Sequence, residues 1–350
     1  MSLYVYSPAK ERLGEVRGIT SLQWLEEYQG AGEAKLACGA TAANRALLLP
    51  GNLLQNTDRP QLLALIQSVE VDDNAKTAKL TVRAKTTACR LAGRVVYYTE
   101  SYTHAGQGMR DIAAHNLRGL PLSAAALPAD LVDTALAGQV SWGSVLDAVE
   151  EIAAASGLGF RVAVDADLAE SFEVYRGVDR SVPGSPAYVG FFGDDAGNLA
   201  SIQIREDVSG CANVAIVCGQ GEGADRRMVE ADLSGGGARR ELYVDARDLA
   251  QKVSETSVDG GTAEKTLTDA EYDALLRARG LAKLAEAAGA LSIKAQLAQT
   301  MLLFGRDYEL GDILPLRAAK YGVSVKVRVA KVKLVYEKTK TIEATLEVIP

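Results

Sequence analysis

Alternation of apolar and polar positions dominates the first hundred residues. Val69 and Val71 lie on one phase, Asp72-Asp73-Asn74-Ala75 supplies a polar turn, and Leu80, Val82 and Ala84 resume the phase. This pattern predicts two half-buried antiparallel strands joined as a hairpin. Leu3 to Tyr6, Ser21 to Tyr28 and Gly32 to Ala37 read as further short strands, and Leu47 to Asn52 ends in the turn sequence Pro50-Gly51-Asn52. The segment is expected to form a small sandwich or barrel.

From Ser101 onward Ala, Leu and Gly become frequent and the period changes. Ser144 stands three residues before Asp147, a capping arrangement for a helix whose Val145, Leu146, Val149 and Ile152 share a face and whose end is marked by Gly157. Phe160 to Val164 and Phe172 to Tyr175 return to strand character, so the middle of the chain is mixed α and β. The strongest helix is predicted between Thr268 and Gly289. Thr268 and Glu271 form a capping box, Leu267 can staple onto Tyr272, and Leu275, Leu276 and Leu284 recur at helical intervals. Gly280 inside it costs about 1 kcal/mol relative to Ala, so the helix is expected to rely on packing or to bend.

Alternation resumes at Leu291, Ile293, Ala295 and Leu297 and continues to the C-terminus. Val323, Val325, Val327 and Val329 occupy odd positions, whereas Val332, Leu334 and Tyr336 occupy even ones. The inward phase therefore slips by one residue near Ala330-Lys331, which predicts a β-bulge there. Glu337-Lys338-Thr339-Lys340 makes the turn, and Ile342, Ala344, Leu346 and Val348 complete the returning strand.

Composition sets outer limits on these elements. The chain has 350 residues, 48% hydrophobic and 24% charged, enough for two or three ordinary cores. A net charge of −7 argues against a surface built chiefly to neutralise nucleic-acid phosphates. The N-terminus lacks a basic stretch followed by an apolar segment, and no window is long and apolar enough to span a bilayer, so synthesis in the cytosol is expected. Cys38, Cys89, Cys211 and Cys218 are too widely spread for a metal knuckle and are expected to be reduced.

Candidate chemistry is sparse. Gly219-Gln220-Gly221-Glu222-Gly223 follows the apolar strand Asn213 to Cys218 and imitates a dinucleotide-binding turn, but Met228 to Leu233 lacks the helical periodicity such a turn must open. A loop between two strands is expected instead. His104 and His115 have neither metal-ligand spacing nor a neighbouring nucleophile. Asp72-Asp73 and Asp194-Asp195 fall in turn-like contexts, where short carboxylates bond their own backbone. Most of Lys326, Arg328, Lys331, Lys333, Lys338 and Lys340 alternate with Val and Leu, so they form the solvated face of a sheet, and an acidic surface on a neighbouring subunit is their expected partner. No catalytic, cofactor-binding or metal-binding residue is assigned, and no cofactor is expected.

Several stretches, in this order, resemble the hub or tail-associated proteins at the tail tip of siphophages and related prophages. They are Leu3-Tyr4-Val5-Tyr6, Leu22-Gln23-Trp24, Gly32 to Leu36, Ala64 to Glu70, Ser141-Trp142-Gly143 and Tyr175-Arg176-Gly177-Val178-Asp179-Arg180-Ser181. Two longer signatures complete the likeness: Asn213 to Asp248, with Arg226-Arg227 and Arg239-Arg240, and Asp307-Tyr308-Glu309-Leu310-Gly311-Asp312-Ile313. The resemblance implies an α+β fold, predominantly antiparallel β, with two tube-protein-like β-barrel domains and a mixed α/β insert. On that basis residues 1–104 form an N-terminal barrel or sandwich, 105–190 the insert, and 191–350 a second β-rich barrel containing a helix near 268–288. The family's barrels can be discontinuous, which would return 190–250 to the first.

The implied function is structural. A homotrimer presenting two barrels per subunit makes a pseudo-sixfold ring that adapts a sixfold tail tube or distal tail ring to a threefold tip. Implied partners are further copies of the chain, the distal tail ring protein and tape-measure or tip and fibre proteins, with DNA only in transit. The implied location is the virion tail tip, after synthesis in the bacterial host cytoplasm. Many relatives continue into a peptidoglycan-cleaving or receptor-binding extension, whereas this sequence ends at Pro350, so no enzymatic activity is expected. Two alternatives stay open: a cell-wall or polysaccharide hydrolase, which needs converging carboxylates, and a carbohydrate-binding adhesin, which needs clustered exposed aromatics.

Overall fold

Antiparallel strands make up most of the computed structural model, which describes residues 1–74, 77–256, 262–287 and 290–349. Among the described residues the largest sheet has thirteen strands. From one edge it runs through Leu199–Asp207, Ala290–Leu297, Lys340–Ile349, Val323–Tyr336, Ile19–Glu27, Glu33–Gly39, Thr77–Thr86, Leu63–Asn74, Leu53–Asn56, Leu3–Tyr6 and Arg12–Glu15. Ile313–Ala318 branches off beside Val323–Tyr336, and Phe192–Gly193 pairs with it in parallel. Among the described residues this ladder is an open path, so the hydrogen bonding does not trace the two closed rings that the resemblance implied.

The fourteen-residue strand Val323–Tyr336 organises the sheet. Its first half pairs with Ile313–Ala318, its second half with Ile19–Glu27, and its other edge with Lys340–Ile349 along nearly its whole length. The predicted bulge is present. The register shifts between Val329 and Lys331, and Val327, Val329, Val332 and Leu334 are all buried despite the change of phase. Ala330, the extra residue, turns its carbonyl to the Tyr28 N–H at 2.9 Å. The two ends of the chain thereby share one core, with Leu3, Trp24, Leu36 and Val82 clustered with Ile293, Leu316, Leu334 and Leu346.

The insert carries its own core. Helices Ala105–His115 and Val145–Ser156 pack Met109, Ile112, Val149 and Ile152 against Phe160 and Phe172 of the strands Gly159–Val164 and Glu170–Tyr175. The Ser144 side chain accepts from the Asp147 N–H, and Gly157 caps the far end at φ +69°, as the sequence predicts. A third unit places Val214–Cys218 between Met228–Asp232, antiparallel, and Glu241–Asp245, parallel. Helix Asp269–Glu286 covers that small sheet, and its Thr268–Glu271 capping box is formed. Leu267 packs against the cluster holding Tyr272, while the predicted stop at Gly289 lies outside the described residues.

One turn is narrower than the sequence suggests. Asp72 and Asp73 are paired in the ladder opposite Lys79 and Ala78, because the strand hydrogen bonds continue to the Asn74–Thr77 pair. Val71 is consequently exposed, since this end of the hairpin projects beyond the core. No helix among the described residues is long and apolar enough to cross a membrane.

Candidate functional site

Two stretches far apart in sequence, Tyr175 to Ser181 and Asp307 to Ile313, clasp each other. The Val178 N–H donates to Asp312 Oδ1 at 2.7 Å, and Arg180 Nε donates to Oδ2 of the same carboxylate at 2.6 Å. Backbone bonds run both ways, from Arg180 N–H to the Ile313 carbonyl at 2.8 Å and from Ile313 N–H to the Val178 carbonyl at 3.0 Å. Asp312 is buried, so its charge is balanced by these donors and not by water. The close approach requires glycine. A Cβ on Gly177 would lie 2.0 Å from the Gly311 carbonyl group, and Gly311 itself has φ +91°.

Tyr28 fills the space beneath the clasp. Its ring meets the Tyr175 ring edge-on at 5.3 Å, and its hydroxyl accepts from the Gly177 N–H at 3.2 Å and donates to the Gly157 carbonyl at 3.2 Å. Burial pushes this phenol above its usual range. Beside it lies a cleft of about 230 Å³ lined by Arg59, Arg161, Arg176, Glu309 and Asp312 among others. Arg59 holds Glu26 through two bonds of 2.7 and 2.8 Å and Glu309 through two more of 3.0 and 2.9 Å. Burial opposes the charge on Arg59, but the two carboxylates outweigh it and hold the guanidinium above its ordinary value. Burial is likewise the larger influence on Glu26 and raises it, against the pull of Arg59.

The cleft's four acids are thus committed to basic side chains of the same chain, Glu27 to Lys331 at 2.7 Å and the other three to arginine. Glu26 and Glu309 share one guanidinium and Asp312 is held by Arg180, which leaves them as structural counter-ions and not as a free acid and base pair. A second charge cluster ties the insert to the chain start: buried Glu170 lies 3.4 Å from both Lys10 and Arg90.

The outer face of the large sheet is polar across several strands. Direct cross-strand neighbours run from Lys85 to Glu33, Leu25, Lys333, Glu343 and Gln296. Opposite charges meet along it, as in Lys85 with Glu33 at 3.6 Å, Lys331 with Glu27 at 2.7 Å, and Lys333 with Glu343. Arg328 also pairs with Glu347 at 3.2 Å and Lys340 with Asp58 at 2.6 Å. Four of the six basic residues singled out in the sequence therefore meet carboxylates of their own chain. The expected dependence on an acidic neighbouring subunit is weakened accordingly.

The signature Asn213 to Asp248 is the small three-stranded sheet, and its arginines brace it internally. Arg226 bridges Asp245 at 2.7 Å and the Cys218 and Gly219 carbonyls, Arg227 pairs with Asp273 of the covering helix at 2.6 Å, and Arg239 meets Glu230 at 2.7 Å. Gly219 to Gly223 connects two antiparallel strands, as expected. His104 contacts Thr103, and His115 lies 3.0 Å from Glu100. Asp194 accepts from the Asp195 N–H in a turn. No group of three or more metal-ligating side chains occurs among the described residues, and all four cysteines are free thiols. Sequence reasoning singled out both halves of the clasp but missed Tyr28, Arg59 and Glu26: Tyr28 meets Gly157 and Arg59 meets Glu309, each more than a hundred residues away in chain order, and Glu26 matters only through Arg59.

A model of the siphovirus ReqiPepy6 Gp37-like protein family matches residues 2–348. No curated protein sequence is similar to the chain. Among solved structures, the tail protein from Neisseria meningitidis MC58 is similar with a TM-score of 0.62 at 14% identity, covering 99% of this chain and 96% of that one. The prophage MuSo2 43 kDa tail protein from Shewanella oneidensis has a TM-score of 0.59 at 10% identity, covering 100% and 98%. The prophage tail protein gp18 from Listeria monocytogenes EGD-e has a TM-score of 0.56 at 12% identity, covering 99% and 94%. With nearly its whole length matched, the chain belongs to the siphovirus ReqiPepy6 Gp37-like protein family and carries the fold of phage and prophage tail proteins.

Proposed function

We propose that this tail protein is a structural hub of the tail tip, acting as a homotrimer that couples a sixfold tail ring to a threefold tip. The observation that carries the reading is the strand Val323–Tyr336, which is hydrogen-bonded to the N-terminal strands through one half and to Ile313–Ala318 through the other. One subunit then presents two joined β units, residues 1–104 and 191–350, each proposed to curl toward a barrel, with 105–190 as an outer insert. Three copies would offer six such units. The commitment of the cleft carboxylates to arginine and lysine partners supports a scaffolding role over a hydrolytic one.

The polar outer face of the sheet is the proposed lining of the ring's channel. Its alternating charges pair with each other, so passing DNA would find no uncompensated basic track to bind. The distal tail ring and the tape-measure or tip proteins are the proposed neighbours, at a virion tail tip. Light scattering across a concentration series, followed by negative-stain imaging with the neighbouring tail ring protein, tests the proposal. Threefold rings seated on the tail ring are expected; a protein that stays monomeric and fails to dock on that ring would refute it.

A further inference from the structure

The motif Ser141-Trp142-Gly143 takes no part in the scaffold described above, yet it presents the larger of two tryptophan exposures in the chain. Trp24 is fully buried in the main core, whereas Trp142 is 67% exposed. Tyr97 and Tyr98, 53% and 54% exposed, stand beside it. The Tyr97 ring lies 4.9 Å from the Tyr98 ring at 87° and 5.6 Å from the Trp142 ring at 60°. Such angles make a corner with two walls, not a flat sheet of apolar surface.

The corner is held at a cost in strain. Trp142 has φ +57°, a conformation unfavourable for a bulky side chain, and it is pinned there by its N–H to the Val96 carbonyl at 2.8 Å and by the Val96 N–H to the Gly143 carbonyl at 2.9 Å. Polar groups beside the rings are fixed in direction. Buried Asn116 accepts from the Tyr97 N–H at 3.2 Å and from Arg118 at 2.9 Å, and donates to Glu100 at 2.7 Å. Arg118 also donates to the Val95 carbonyl at 2.7 Å, and its guanidinium carbon lies 6.0 Å from the Tyr97 ring centre.

We infer that Tyr97, Tyr98 and Trp142 form a carbohydrate-binding site that takes the pyranose rings of an oligosaccharide. A pyranose offers axial C–H bonds to an aromatic face and hydroxyls around its rim, which match a ring corner beside the oriented Arg118 guanidinium. Rings set at angles to one another suit the faces of a small rigid ligand, unlike the broad surface of roughly 800 Å² per partner that a stable protein interface needs. The inference does not rest on the hub reading.

Saturation-transfer NMR and tryptophan emission are read while the full chain is titrated with methyl glucoside, methyl galactoside, methyl N-acetylglucosaminide, methyl rhamnoside and their disaccharides. Saturable binding by at least one member is expected, tighter for the disaccharide than for its monosaccharide. Tyr97→Ala weakens it about tenfold. Trp142→Gly removes it while leaving thermal stability equal or higher, because glycine relieves the positive φ. The inference fails if no member binds saturably, if Trp142→Gly binds like the parent, or if the rings prove to be covered by the neighbouring tail ring protein in the assembled tip.

Discussion

Arg59 concentrates more of the fold's charge balance than any other side chain in the cleft. With only 8% of its side chain exposed and Glu26 at 4%, Arg59→Met leaves a carboxylate buried without a partner. A loss of about 3–5 kcal/mol is expected by chemical denaturation, and Glu26→Gln in the same chain should restore part of it. A double variant no more stable than the single one would show that the ion pair is not the cause. Asp58 supplies a pH test. Burial works against its charge, but Lys340 and Tyr336 outweigh that and hold its carboxyl below the usual range. Its stabilising contribution is therefore complete above the unfolded-state value near pH 4 and is lost as pH falls through the folded one. Asp58→Asn should lower stability by about 1 kcal/mol at neutral pH, and the difference from the parent should close in acid.

At the scale of elements, local chemistry carried the sequence reading a long way. The two capped helices, the bulge at Ala330 and the C-terminal hairpin were legible because each is set by residues within a few positions of one another. Gly280 was legible only in part. Its cost in helix propensity suggested packing or a bend, and the structure supplies the packing: an added Cβ would lie 2.6 Å from Val217 and 3.1 Å from Ala231 on the covered sheet. Gly280→Ala should therefore destabilise by about 1–3 kcal/mol, opposite in sign to the ~1 kcal/mol gain that helix propensity alone predicts. The clasp gives a sharper case. Gly177→Ala meets backbone, which cannot swing aside, so a loss of about 3 kcal/mol or more is expected, with the insert exchanging amide hydrogens faster than the large sheet.

Across the whole molecule, what stayed hidden was pairing at long separation. Nothing in Leu22-Gln23-Trp24 announces that it will lie opposite Leu334, Val335 and Tyr336, since alternation names an inward face but not a neighbour. The same applies to the cleft, whose lining comes from the N-terminal strands, the insert and the Asp307–Ile313 stretch together. The exposed corner at Trp142 was hidden for another reason: aromatic content averaged over the chain says nothing about where three rings gather. Because one core holds strands from both termini, calorimetry should give a single main transition for the large sheet, and two well-separated transitions would argue for independent halves. A strand stitched into both halves has a mechanical meaning as well. Load arriving at either half must shear a whole row of ladder bonds at once, so a tip built from such subunits would pass on a push or twist as a stiff body and leave any bending to the insert.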